Sequence, residues 1–232
     1  LINRKKSLMS NYLEAIKVAF GGAGTTLELT GFAVILGVVL GLLIALLKLS
    51  KSRIPRGIGT TYVEIIRGTP LLVQALIFYN GIPIIMQNSF GINFTWREHE
   101  IVCGILVCGI NSSAYVAEII RAGIQAIDKG QLEASRSLGL TNRQTMRFIV
   151  IPQAIKIILP ALGNEFVTLI KETAVLSIIS ITEITRAGVI LASHTFSSEP
   201  YIGIAICYLC LTITLSRLVA YTERRLATSD RS

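Results

Sequence analysis

Three groups of residues in this chain of 232 have types and spacings that could do chemistry. Cys207 and Cys210 form a C-x-x-C pair, a spacing used for thiol redox or metal binding in soluble proteins. Their neighbours are apolar and no second pair answers them, so they read as small packing residues, like Cys103 and Cys108. Gly21-Gly22-Ala23-Gly24-Thr25-Thr26 has the glycine content of a phosphate cradle. It lacks the G-x-x-x-x-G-K-[ST] spacing and its lysine, and reads instead as a flexible lead into an apolar run. His99 and His194 are unclustered and suggest no metal.

The third group is better organised. Asn164, Glu165, Thr168, Lys171 and Glu172 interrupt the apolar stretch 157–181. At 100° per residue, with Asn164 at zero, Thr168 falls near ~40°, Glu172 near ~80°, Glu165 near ~100° and Lys171 near ~340°. Phe166, Val167, Leu169 and Ile170 fall outside this arc of roughly 120°. Charges within a span cost about 2.5 kcal/mol or more at the bilayer centre, so such a face belongs against a bundle interior or a watery cavity. Glu165 would lie roughly 12 Å in from Ile157, near the midplane where transporters place substrate. A carboxylate there favours an ammonium group or a basic side chain, which makes Glu165 the first candidate for substrate contact. Thr168, Asn111, Thr69 and Gln74 are candidate hydrogen-bonding partners, and Lys171, Glu172 and Glu118 are candidate gating or structural charges. Asn111, Tyr115 and Glu118 share one helix face by their i, i+4, i+7 spacing. Thr69-Pro70 is expected to open the helix carrying Gln74, while Glu64 and Arg67 read as a surface pair. No catalytic residue is expected.

Composition says what must position these groups. Hydrophobic residues make up 52% of the chain and charged residues 16%, and the mean hydropathy is +0.63. That charge content falls well below the ~25% of soluble domains. The net charge of +8 has too little polar surface around it for a nucleic-acid binder, and four cysteines are too sparse for a secreted disulfide scaffold. The expected fold is all-α: one polytopic membrane domain with five transmembrane helices near 27–47, 68–86, 101–120, 157–181 and 200–218. Ala33, Gly37, Gly41 and Ala45 give the first span a small-residue stripe for close helix packing. Asn11–Phe20 reads as a short interfacial helix. Fifteen cations fall between spans one and two, between spans three and four, and in the tail; six fall on the other side. The positive-inside rule then sets the C-terminus in the cytoplasm and the N-terminus outside, with Arg4, Lys5 and Lys6 as the exception.

The connection 121–152 is the longest, and such a length is usually functional when it is ordered. Ile127–Leu138 has helix-forming composition and Gly139 stops it; a second run, Asn142–Ile151, ends at Pro152. Two short helices around a glycine make a projecting cytoplasmic knob. Glu133-Ala134-Ser135, then Gly139, then Ile149-Val150-Ile151-Pro152 resemble the EAA loop of bacterial ABC importer permeases, with Ser135 and Ile151 as mild departures. Glu64–Gln74, Ala114–Arg121 and Lys171-Glu172-Thr173 are similar to the polar amino-acid (histidine/glutamine/arginine) branch of that family.

The resemblance implies a permease working as a homodimer, or as a heterodimer with a paralogue. Two ATP-binding subunits would dock on the loops and an external solute-binding protein would deliver an amino acid. Gly130, Glu133, Ala134, Ser135, Gly139 and Pro152 would shape the coupling element, and the loops 87–100 and 183–199 would meet the binding protein. The chain has no G-x-x-x-x-G-K-[ST], so it would bind no cofactor, with ATP and magnesium held by the partner subunit. A half-size ion-coupled secondary transporter or channel subunit is the alternative, and a membrane thiol oxidoreductase built on Cys207 and Cys210 a more distant one.

Overall fold

The computed structural model describes residues 2–228, with side chains for 9–224; Arg231, counted above among the tail cations, lies outside the described residues. The regular structure of the described residues is all helical: α1 (Ile2–Gly21), α2 (Ala23–Leu49), α3 (Arg53–Gly68), α4 (Leu71–Leu76), α5 (Ile82–Phe90), α6 (Glu100–Gln125), α7 (Lys129–Ser137), α8 (Asn142–Thr145), α9 (Ile151–Glu172), α10 (Ile184–Thr195) and α11 (Glu199–Thr228). Five stretches are long and apolar enough to cross a membrane: Met9–Leu49, Leu71–Phe90, Glu100–Gln125, Asn142–Ile179 and Glu199–Arg224.

The centre is the seam between α2 and α6. Ala33, Gly37, Gly41 and Ala45 are all buried along α2. A Cβ on Gly41 would lie 2.6 Å from Val116 Cγ1 and 2.9 Å from the Ser113 carbonyl oxygen. Gly109 answers from α6, where a Cβ would lie 2.7 Å from Leu36. In lipid there is no hydrophobic drive between helices, and small residues let backbones approach until dispersion holds them. With α2 on one flank, α6 also meets α3, α4 and α9, so most of its side chains are enclosed.

Several expectations need correction. Residues 11–20 do not form a short interfacial helix: they belong to the twenty-residue α1, which packs along α10 and α11. The cause is again small side chains. Ala15 and Ala19 are fully buried, and a Cβ on Gly203 would lie 2.7 Å from the Ala15 carbonyl carbon. Nor is Gly21–Thr26 a flexible lead. Gly22 sits at the break between α1 and α2, where a Cβ would meet the Glu183 backbone at 2.5 Å. Only glycine permits that approach.

Thr69 does not cap the helix carrying Gln74. It is the extended residue ending α3, its hydroxyl donates back to the Ile65 carbonyl at 2.6 Å, and Pro70 itself takes the N-cap position of α4. A residue before proline is pushed out of the α region, which places the break here. The second span is interrupted by a π-turn, Ile77–Gly81, just ahead of Pro83. Pro152 likewise does not end a helix; it lies in the first turn of α9, after a π-turn at Met146–Val150. Both prolines sit where the missing N–H leaves no hydrogen bond broken.

The segment 183–199 is not simply an external loop. Its N-terminal part is α10, packed antiparallel to α11, and Glu183 is fully buried at the α10 N-cap. The Glu183 carboxylate accepts from the N–H groups of Thr185 (2.7 Å) and Arg186 (2.8 Å) and from the Tyr208 hydroxyl (2.8 Å). Burial lifts this carboxyl above the usual carboxylate range, and those donors pull it partly back.

The seam gives a paired prediction on one helix. Gly41→Ala lowers the melting temperature of the detergent-purified protein, corresponding to about 1–3 kcal/mol of overpacking. Gly31→Ala, where a Cβ meets nothing within 4 Å, leaves it unchanged or raises it. Equal behaviour of the two in a thermal-shift measurement would remove the seam from its central place.

Candidate transport path and coupling loop

The polar arc on α9 is real, and it faces outward. Val167, Leu169 and Ile170 are buried within the chain, whereas Asn164, Thr168 and Lys171 are exposed and Glu165 and Glu172 half-buried. Within the span, then, α9 turns its apolar side to its own bundle and its polar side away. Glu165 is held by the Ser112 hydroxyl of α6, which donates to its Oε1 at 2.8 Å. The charges of Arg67 and Glu172 act on the same carboxylate. Thr168 donates to the Asn164 carbonyl one turn back, at 3.0 Å. Lys171 and Glu172 interact electrostatically without closing into an ion pair.

Gln74 and Asn111 are turned inward. Gln74 Nε2 donates to the carbonyls of Ile66 (2.8 Å) and Thr69 (3.0 Å), and its Oε1 accepts from Asn111 Nδ2 at 3.2 Å. Both side chains are buried, so they satisfy the carbonyls that the α3–α4 break leaves open. Glu64 and Arg67 do not pair. The Arg67 guanidinium lies 5.0 Å over the Tyr115 ring, a cation–π contact at the C-terminal turn of α3. Ser112 is the residue that sequence reasoning passes over, and Arg67 the one it reads as a surface pair; the only signal for Ser112 is a second small polar residue beside Asn111 in mid-span.

Glu118 lies at the end of the bundle that carries the 121–152 connection. Its Oε1 bonds to Lys48 at the end of α2, and its Oε2 accepts from Arg121 Nε (3.0 Å) and Nη2 (2.8 Å). One carboxylate thus ties two helices between two cations.

The connection 121–152 forms the knob. Asp128 caps α7 by accepting from the Gly130 N–H at 2.6 Å, and Gly139 ends it in the left-handed region at φ +79°. Thr141 and Gln144 cap α8 reciprocally. Ser135 is buried, donating to the Leu132 carbonyl at 2.8 Å and bonding the Thr145 hydroxyl at 2.9 Å, so the departure at this position clamps α7 to α8. Glu133, Ala134, Arg136, Leu138 and Phe148 are exposed, Leu138 by 81%. The knob is thus capped at both helices, cross-braced through Ser135 and Thr145, and leaves Leu138 bare. The thiols offer no such geometry: Cys207 is buried, Cys210 exposed, and the two are not bonded.

A family model described as "binding-protein-dependent transport system inner membrane component" matches residues 37–228, taking in the α2–α6 seam, the knob and the α9 face. The chain belongs to that family. This permease is 39% identical over 216 residues to a protein of Rickettsia bellii named as the glutamine transport system permease protein GlnP, covering 92% of this chain and 95% of that one. It is 36% identical over 210 residues to the arginine transport system permease protein ArtQ of Bacillus subtilis, covering 90% and 92%. A solved structure described as an amino acid ABC transporter with histidines superposes with a TM-score of 0.83 at 49% identity, over 92% of this permease and 96% of that chain. A chain of a methionine ABC transporter solved in inward-facing conformations shares the fold, with a TM-score of 0.72 at 17% identity.

The Glu118 node orders two substitutions. Glu118→Gln leaves Lys48 and Arg121 facing each other without a counter-charge, whereas Lys48→Met leaves Glu118 still paired with Arg121. Glu118→Gln therefore costs more in thermal unfolding, though less than the about 3–5 kcal/mol of a fully buried pair, because Arg121 is 33% exposed. A larger loss for Lys48→Met would show that Glu118 is not the hub.

Proposed function

We infer that this permease is the transmembrane subunit of an ATP-driven ABC importer for polar amino acids. The observation that carries the reading is the outward polar face of α9 at mid-span. Within a bilayer such a face needs a covering surface, and a second permease copy or a paralogue turning the same face inward would supply one and enclose a polar path. The alternative of an ion-coupled secondary transporter gives the braced knob no purpose, whereas an ATP-binding subunit gives it one.

In this reading the knob is cytoplasmic, the C-terminus lies inside and the N-terminus outside, in the inner membrane of a bacterium. Two ATP-binding subunits dock on the two knobs through Leu138 and its neighbours, and ATP and magnesium are held there. An external solute-binding protein delivers the amino acid at the opposite end. The two permease halves alternate as rigid bodies around the midplane path.

The path has chemistry suited to an amino acid. Glu165, preset by Ser112, faces an ammonium group; Arg67, laid flat over Tyr115, offers a planar donor set to a carboxylate. The relatives named for glutamine and arginine, and the solved neighbour described with histidines, support a substrate carrying both groups. Thr168 borders the same face. Gln74, Asn111 and Thr69 act one layer behind it, by holding the α3–α4 break in shape.

The test is uptake by vesicles containing the whole importer. Glu165→Ala lowers ATP-driven amino-acid uptake by about tenfold or more, the worth of a charge-assisted hydrogen bond. Basal ATP hydrolysis persists. Unchanged uptake with hydrolysis still coupled would sink the assignment.

A further inference from the structure

At the knob end of the bundle, α2, α6 and α9 leave between them a groove of about 610 Å³. Its walls are Leu42, Leu46 and Leu49 of α2, Ile120 and Ile124 of α6, and the first turns of α9, with Met146 of the π-turn and Ser50 at its mouth. The volume falls in the range of ligand sites, about 300–1,000 Å³, and Ser50 is the only lining residue with a polar side chain. We propose that this groove holds an acyl chain of an anionic phospholipid of the cytoplasmic leaflet, with its headgroup against Lys51 and Arg147. The orientation is that of the proposed function, on which this inference rests.

Two observations select this occupant. From Leu42 to Ser50 the groove runs eight residues along α2, roughly 12 Å. That is close to half of a ~30 Å hydrocarbon core, so a chain anchored at the surface fills it lengthwise. Cations adjoin its lining in sequence. Lys51 follows Ser50, and Arg147 follows Met146; both are exposed, and the Arg147 guanidinium lies 5.6 Å over the Phe148 ring. Nearby, Glu118 is already held by Lys48 and Arg121, and Asp128 by the Gly130 N–H. A basic rim over an apolar cleft between helices at the cytoplasmic surface is the arrangement that retains anionic lipids.

Such a lipid would touch α2, α6 and, through Met146, the base of the knob. It would fill a gap beside the element that transmits ATP-driven motion.

The test is native mass spectrometry of the intact importer released from nanodiscs of equal phosphatidylglycerol and phosphatidylcholine. The expected result is retained phosphatidylglycerol, up to one per permease chain, in clear excess over phosphatidylcholine. Leu46→Trp fills the groove from an exposed position and removes the retained lipid. The double substitution Lys51→Gln with Arg147→Gln, both at exposed sites, lowers phosphatidylglycerol retention at least about fivefold without changing that of phosphatidylcholine. Equal retention of the two lipids, no retention at all, or retention unchanged in both variants would overturn the proposal. Because the readout is bound lipid, its failure is separate from a failure of the Glu165 uptake test.

Discussion

The small-residue seam between α2 and α6 is the contact on which the rest of the molecule depends. In lipid, neighbouring helices gain nothing by hiding apolar surface, so they hold together only where backbones come close enough for dense dispersion contact. Gly37 and Gly41 on one helix and Gly109 on the other make that possible. Once α2 is fixed, one flank of α6 is closed, and its polar residues are left to serve its remaining neighbours. Ser112 reaches Glu165 on α9, Asn111 reaches Gln74 on α4, and Ser113 bonds the Tyr62 hydroxyl of α3 at 2.6 Å. A looser seam would shift all three bonds together.

A second regularity is how the chain handles breaks. The α1–α2 break is closed by backbone contact at Gly22, the α3–α4 break by Gln74 and Asn111, and the start of α10 by Glu183. Each open helix end in a membrane domain leaves polar backbone groups that lipid cannot satisfy, and a buried side chain takes the place of water. Among the described residues, no buried side-chain nitrogen or oxygen lacks a hydrogen-bond partner. The wide turns ahead of Pro83 and Pro152 deal with the same problem by placing each proline where no donor is missed.

Much of this was legible in the residues. Membrane residence and five long apolar stretches followed from charge spacing, and the helices of the 121–152 connection from its glycine and composition. The polar arc on α9 followed from 100° arithmetic. Other features were less so. Asn11–Phe20 is not apolar enough to announce a long helix; its packing depends on Ala15 meeting Gly203 and Ala19 packing with Ile184 and Cys207, nearly the whole chain away. The reading of Glu183 as a loop residue failed because a charged residue between apolar runs looks like a loop, and only its three donors make it a buried cap. Glu64 and Arg67 have the spacing of a helical pair, yet spacing does not reveal that Tyr115 offers the arginine a flat, half-buried partner.

The sequence by itself determined the solvent, the number of crossings, the small-residue stripe and the grouping of charges on one face of the fourth span. These are properties of local composition and helical period, which no distant residue alters. Tertiary structure decided which way that face looks, which candidates touch it and which lie behind it. Glu165 and Gln74 are both polar residues in apolar helices, and neither their type nor their position separates them. One is braced by Ser112 at the edge of an outward polar face and the other is spent on the carbonyls of Ile66 and Thr69. Direction is a relation between helices, and α6 sets it through the close contact with α2 that glycine permits.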